Sequence, residues 1–199
     1  MANGLASLVT RRVRSLPRGL QDHIHRVEKI AQGLGEVHGV DSARAGLAML
    51  CHDVARAMGG GELLLRASQL DLPVSMVERE VPILLHGPVG AEILKTEDGL
   101  TDDSIYQAVY WHTTAHPSLD TLGKVVFLAD KLDPQKIGSY PFQPRIRDLA
   151  FQDLDRGILE FLTQELIARA SRGEMVHPAA LDTRNALLSA IGGNSGQMP

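Results

Sequence analysis

The sequence predicts an all-α fold, and three observations carry that expectation. Apolar residues recur at helical spacing in segment after segment, as with Val27, Ile30 and Leu34, which follow His23 at i+4, i+7 and i+11. Aromatic residues make up only 4% of the chain while hydrophobic residues make up 44%. The core must then be mostly Leu, Val, Ile and Ala, a composition that suits packed helices better than sheets. No convincing run of alternating apolar and polar residues appears, and no internal repeat.

Taken in order, residues 1–19 read as an N-terminal helical extension and 20–191 as a single domain, with 192–199 a disordered tail. A helix is expected over 20–37, stopped by Gly39, with Asp41 capping the next. Residues 42–55 are apolar almost all round, so that helix belongs in the centre of the fold. The glycines at 59–61 break it. Short helical patterns follow near 62–70 and 74–80, separated by Pro73. Pro88 suits the first position of a helix over 88–97, where its missing N–H is not needed. Asp102 or Asp103 caps a helix ending near His112, and 120–132 form another, stopped by Pro134. Residues 133–144 hold three prolines and a glycine and are expected to lack regular structure. This loop directly follows Asp130, which places it to line a site there. Helices over 153–171 and 178–191 complete the chain.

Composition also limits function. The 199 residues carry a net charge of −4, which argues against a nucleic-acid-binding surface. The cluster Arg11, Arg12 and Arg14 reads as a solvated helix face. The single cysteine, Cys51, excludes an intramolecular disulfide and fits a reducing compartment. No apolar run approaches a membrane span, and the N-terminus lacks the apolar stretch of a signal peptide. A cytoplasmic protein is expected, with no membrane partner. The residues leave the oligomeric state open, a homodimer included.

Chemistry enters with the placement of the histidines. His23 lies on the apolar stripe of its helix, and His112 completes another stripe with Ile105, Ala108 and Val109. Asp130 shares a face with Leu122 and Val126. His52-Asp53 ends the helix that is apolar all round. A carboxylate on a buried face is costly unless paired or coordinated. Asp53 and Asp130 have no Lys or Arg on their stripes, so metal ions are the expected source of positive charge. Imidazole with carboxylate suits iron, manganese, zinc or nickel alike. One stripe histidine alone is more often a hydrogen-bonded core residue, and one such aspartate is as often a cap or half of an ion pair. Five separate segments delivering ligand-type side chains to apolar faces or helix ends are another matter.

The order His, His-Asp, His, His, Asp resembles the HD-domain phosphohydrolase superfamily. The segments around His23-Ile24-His25-Arg26-Val27, Cys51-His52-Asp53-Val54-Ala55-Arg56, Leu85-His86-Gly87-Pro88-Val89-Gly90, His112-Thr113-Thr114 and Phe127-Leu128-Ala129-Asp130 resemble its bacterial YqeK-type branch. So do Arg145-Ile146-Arg147-Asp148-Leu149-Ala150 and His177-Pro178 with Thr183-Arg184-Asn185. The likeness runs from about residue 20 to 190. It implies an HD-type helical bundle with a central dinuclear metal site. It also implies symmetrical hydrolysis of diadenosine tetraphosphate to two ADP by a metal-activated water, with iron as the expected metal. Carried over, one ion takes His23, His52, Asp53 and Asp130, and the second takes His86 and His112 with Asp53 bridging. His52 and Asp53 are the catalytic pair.

A polyphosphate chain needs basic clamps. The candidates are Arg56, three residues past the HD pair, with Arg26, Arg145, Thr113, Thr114 and His116. For each arginine the competing reading is an exposed ion pair. The family continues His-Thr-Thr with glycine and a basic residue, whereas Ala115 and His116 stand here, a change expected to alter the turn. Cys51 reads as a core residue, and His25, His38 and His177 are not assigned to metal. Two alternatives stay open: hydrolysis of another nucleotide, and a nucleotide-binding sensor without turnover.

Overall fold

The computed structural model describes residues 2–193, and among them every regular element is helical. The bundle follows the apolar stripes. Helix α1 (Ala2–Ser15) presses Val9 and Val13 onto the core, and α2 (Arg18–His38) buries His23, Val27, Ala31 and Leu34 along one face. Gly39 ends α2 with a left-handed φ of 73°, its N–H donating to the Gly35 carbonyl. Asp41 accepts from Arg44 N and opens α3 (Ser42–His52), which buries Ala45, Ala48, Met49, Cys51 and His52 and packs on α2. This helix stops at His52, short of the expected residue 55, so Asp53 sits just past its end with φ −109° and ψ 20°.

Next come α4 (Gly60–Gln69) and α5 (Met76–Glu80), the latter closed by a reciprocal Ser75–Glu78 capping box. A 3-10 turn, Pro82–Leu85, leads into α6 (His86–Thr96). Pro88 therefore lies in the first turn of α6, not at its first position; N–H groups there need no intrahelical acceptor. Helices α7 (Asp103–Trp111) and α8 (Thr121–Lys131) are capped by Asp102, one of the two expected candidates, and by Asp120, which the sequence placed within the helix.

The expected loop at 133–144 needs correction. A 3-10 turn forms over Pro134–Lys136, and Gln143 already begins α9 (Gln143–Gln152). Pro134 and Pro144 stand in the first turns of these elements, where a proline fits a helix, so they start structure instead of preventing it. Helix α10 (Leu154–Ser171) follows Asp153, which caps it, and α11 (Pro178–Gly193) closes the fold. Gly192 and Gly193 belong to α11, and the remainder of the expected tail lies outside the described residues.

Apolar packing divides into two clusters. The larger joins α1–α3, α7, α8 and α10 around Ile24, Leu34, Met49, Val126, Phe127 and Ile158. The smaller sits under α4, the Pro82–Leu85 turn and α6, around Leu63, Leu85, Val89 and Ile93. A cleft runs between the α5 side and the α10–α11 side, lined at one end by Asp53, His86 and Asp130. No helix of the described residues is long and apolar enough to cross a membrane.

Candidate metal centre

Five helices or helix ends deliver six buried side chains to one point: His23 from α2, His52 and Asp53 at the end of α3, His86 opening α6, His112 closing α7 and Asp130 near the end of α8. Sequence reasoning named all six, and the fold brings all six together. Asp53 lies between two pairs. Its Oδ1 is 3.0 Å from His86 Nε2 and 3.6 Å from His112 Nε2. Its Oδ2 is 3.3 Å from His52 Nε2 and 3.6 Å from His23 Nε2. Asp130 Oδ1 closes the second side, 3.1 Å from His23 Nε2 and 3.8 Å from His52 Nε2.

Hydrogen bonding at the far side of each ring says what these atoms can do. The Nδ1–H of His52 donates to the Met49 carbonyl at 2.6 Å, that of His86 to Ile83 at 2.5 Å, and that of His112 to Val109 at 2.7 Å. Each acceptor is the carbonyl three residues upstream, which the preceding helical turn supplies. His23 Nδ1–H donates instead to Asp133 Oδ2 at 2.6 Å. With Nδ1 carrying the proton, the Nε2 of a neutral ring is a lone pair. All four lone pairs converge on the two carboxylates.

That arrangement holds acceptors against acceptors. His86 Nε2 and His112 Nε2 face each other at 2.9 Å, and His52 Nε2 has no hydrogen-bond partner among the described residues although fully buried. Burial pushes His112 down to about 4, so its ring is neutral near pH 7. Burial alone would raise the carboxyls of Asp53 and Asp130. Where a ring takes up a second proton, the charge of His52 and hydrogen bonds from His112, His52 and His86 hold Asp53 well below the ordinary carboxylate range, and Lys131 and Lys136, then His23, hold Asp130 there. Converging imidazole lone pairs with two ionised carboxylates fit divalent cations, and nitrogen with oxygen donors suits first-row transition metals. His23, His52 and Asp130 offer one set of donor atoms within 4.8 Å of one another, and His52, Asp53 and His112 another.

Asp133 was not foreseen. It is 1% exposed, accepts from His23, and takes Arg26 Nε and Nη2 on its two oxygens at 2.9 and 2.8 Å. Its available signal was position: it stands three residues after Asp130 at the helix end, where only the loop-forming prolines drew notice. Lys131 and Lys136 were also passed over. Their ammonium groups lie 2.8 and 2.5 Å from Asp130 oxygens, so the positive charge on Asp130 comes from beside its stripe and from the next turn.

The cleft above the centre measures about 310 Å³. Arg56, Thr113 and Thr114 line it, as do Tyr140, His177 and Arg184. Three other substrate candidates lie elsewhere. Arg26 is committed to Asp133 and Gln135, and Arg145 is largely exposed beside Glu160. His116 stacks on Trp111 with ring centroids 4.4 Å apart and borders a separate hollow of about 40 Å³. The turn before it survives the missing glycine, because Ala115 itself adopts φ 63° while fully buried. His25 is exposed beside Glu28, and His38 binds the Ala150 carbonyl.

A bundle of helices with a His, His-Asp, His, His, Asp centre is the hallmark of one class of proteins, and the model of the HD domain matches residues 20–135. The chain belongs to the HD-domain family. It is similar to the symmetrical bis(5'-nucleosyl)-tetraphosphatase of Halalkalibacterium halodurans, 30% identical over 83% of this chain and 87% of that protein. The protein of the same name from Bacillus subtilis is 29% identical over 84% of this chain and 88% of its own length. Among solved structures, a Clostridium acetobutylicum protein described as a predicted HD superfamily hydrolase involved in NAD metabolism shares the fold, with a TM-score of 0.86 at 23% identity. The alignment spans 92% of this chain and 97% of that one.

Proposed function

We propose that the protein hydrolyses diadenosine tetraphosphate symmetrically, giving two ADP. The observation that carries the reading is the pair of carboxylate edges of Asp53, one turned to His86 and His112, the other to His23 and His52. That geometry supports a dinuclear centre with Asp53 as the bridge, Asp130 completing the His23–His52 side. Two bound divalent ions, iron first among the candidates, would supply an activated water and offset charge on the phosphoryl oxygens.

The chain's own residues do the rest. Met49, Ile83 and Val109 carbonyls and Asp133 fix the tautomers, so every ring presents Nε2 inward. Arg56, Lys131 and Lys136 border the cleft beside Asp53 and Asp130, where a polyphosphate chain would run. Thr113 has a buried hydroxyl with no hydrogen-bond partner among the described residues and lines the same wall, ready to donate to a phosphate oxygen. The leaving group is ADP, whose terminal phosphate needs little protonation, so no strong general acid is required. The similarity to two tetraphosphatases over most of both chains favours this substrate over a nucleoside mono- or triphosphate. The complete ligand set favours turnover over a sensor. A nucleotide substrate and the unpaired, buried Cys51 suit a cytoplasmic setting.

The test is incubation with diadenosine tetraphosphate and iron or manganese, with products separated by chromatography. ADP alone is expected. AMP with ATP, or no turnover, overturns the symmetrical reading. Asp53→Ala should abolish both turnover and metal binding; surviving activity removes the bridging role.

A further inference from the structure

We propose that Lys136 is a phosphate-binding residue that shares Asp130 with the metal, so that it opposes metal binding and favours binding of a phosphorylated ligand. This rests on the reading of the chain as a nucleotide hydrolase. The two lysines on Asp130 are not equivalent. Lys131 is buried; its ammonium donates to Asp130 Oδ2 at 2.8 Å and to the His112 carbonyl at 3.2 Å, and lies 5.1 Å from the centre of the Phe127 ring. Its donors are used within the fold. Lys136 also makes two hydrogen bonds, to Asp130 Oδ1 at 2.5 Å and to the Asp130 carbonyl at 3.0 Å, but its side chain is 32% exposed and borders the cleft, with no aromatic ring over its ammonium among the described residues.

Asp130 Oδ1 is the oxygen that also faces His23 Nε2 at 3.1 Å and His52 Nε2 at 3.8 Å. It is therefore the donor atom a metal at these histidines would take. Ammonium and metal then crowd one oxygen and repel each other. An anionic phosphoryl oxygen entering from the cleft relieves that repulsion by binding both cations. The backbone of Lys136 is held for this. Asp133 anchors the Pro134–Lys136 turn through Gln135 N, and the N–H groups of Ser139 and Tyr140 donate to the Lys136 carbonyl at 2.9 and 2.8 Å. Only the four-carbon stem needs to move, and a lysine ammonium is a compact charge that re-aims readily.

The prediction has two opposite signs, which a merely structural lysine would not produce. On the full chain, manganese affinity is measured by calorimetry for wild type, Lys136→Met and Lys136→Arg, followed by ADP affinity on the manganese-loaded proteins. Lys136→Met should bind manganese about tenfold tighter, since a neighbouring like charge is removed. It should bind ADP about tenfold more weakly, having lost a charge-assisted hydrogen bond. Lys136→Arg should keep ADP affinity within about threefold of wild type, because the charge is retained. Unchanged ADP affinity in Lys136→Met overturns the proposal. So does a joint fall in both affinities with a lowered unfolding midpoint, which would mark a structural residue. Turnover of diadenosine tetraphosphate by the wild type is assayed in parallel. Its failure removes the substrate assignment, while the manganese and ADP shifts decide the lysine.

Discussion

Asp133 holds His23 and Arg26 at once, and its three contacts make it the hinge of the α2 side of the centre. Removing its charge while keeping its shape should loosen the His23 ring and make Nε2 a poorer donor. Asp133→Asn is expected to weaken metal affinity by about 10- to 100-fold, the usual effect of losing such a supporting carboxylate. Calorimetry with manganese reads it, and an unchanged affinity would exclude a supporting role. Ala115 shows a different residue-scale effect. Its left-handed φ of 63° is uncommon for any residue with a side chain. Ala115→Gly relieves roughly 1 kcal/mol of strain, set against a lost buried methyl worth about 0.8 kcal/mol, so stability should hold within about 1 kcal/mol. Ala115→Val, branched at Cβ in a buried left-handed position, should lower it by about 2 kcal/mol. Urea unfolding separates the two outcomes. Of the residues at this scale, His23, His52, Asp53, His112 and Asp130 were readable because polar groups on apolar stripes and buried helix ends are costly and therefore conspicuous, while His86 was placed by the family resemblance. Asp133, Lys131 and Lys136 were not, because charges at a helix end look like ordinary solvated residues.

At the scale of elements, the centre depends on how closely α6 and α7 approach. Gly87 makes that approach: a Cβ there would come within 2.7 Å of the Tyr110 carbonyl oxygen and 3.3 Å of His112 Nδ1. The nearest obstacle is backbone, which cannot swing aside, so Gly87→Ala should push α7 outward and separate His86 from His112. Loss of about half the bound metal, read by metal analysis of purified protein, is the expected outcome; full occupancy with normal turnover would mean that α7 yields without harm. Helix starts were legible where an aspartate precedes an apolar stripe, as at Asp41 and Asp102, whereas Asp120, expected inside its helix, caps it instead. Helix α9 escaped notice because Pro134, Pro141 and Pro144 are read first as breakers. A proline in a first turn and one in a loop are the same letter; only the position of the following hydrogen bonds tells them apart.

For the whole molecule, the centre is where five segments meet, so its charge state is coupled to global stability. Without metal, two histidines act with opposite signs. Burial lowers His112 to about 4 against an ordinary 6.5, so its contribution to stability falls as pH drops through that interval. Burial also works against protonated His52, but Asp53 outweighs it and leaves that histidine raised, so its contribution grows on acidification. The gain from His52 is complete by its ordinary 6.5, where the loss from His112 begins, so the two do not cancel. The carboxylates add a further loss. Although burial opposes its ionisation, Arg26 and then His23 hold Asp133 at about 2 against an ordinary 3.8, and Asp53 and Asp130 are also held well below that ordinary value. Their stabilisation is present above pH 3.8 and is lost as pH falls toward 2. Metal-free protein should therefore lose unfolding midpoint gradually from about pH 6.5 to 4, as His112 costs stability, and steeply below about 4. Added manganese should raise the midpoint near pH 7, and the gain should fade below about pH 6 as protons compete for the imidazoles. A metal-free midpoint that stays level between about pH 6.5 and 4.5 would show that burial does not hold the His112 ring neutral.

The sequence by itself determined the class of fold, most helix positions and five of the six converging side chains, the sixth, His86, being placed by the family resemblance. Those follow from local rules: apolar spacing, capping aspartates, and the cost of burying polar groups. Tertiary structure alone decided which oxygen of Asp53 serves which histidine pair, that Asp133 and not a backbone carbonyl orients His23, and that Arg26, Arg145 and His116 lie away from the cleft. Each of these depends on the relative placement of elements far apart in the chain, over distances of a few ångströms, and no local pattern of residues encodes such a distance.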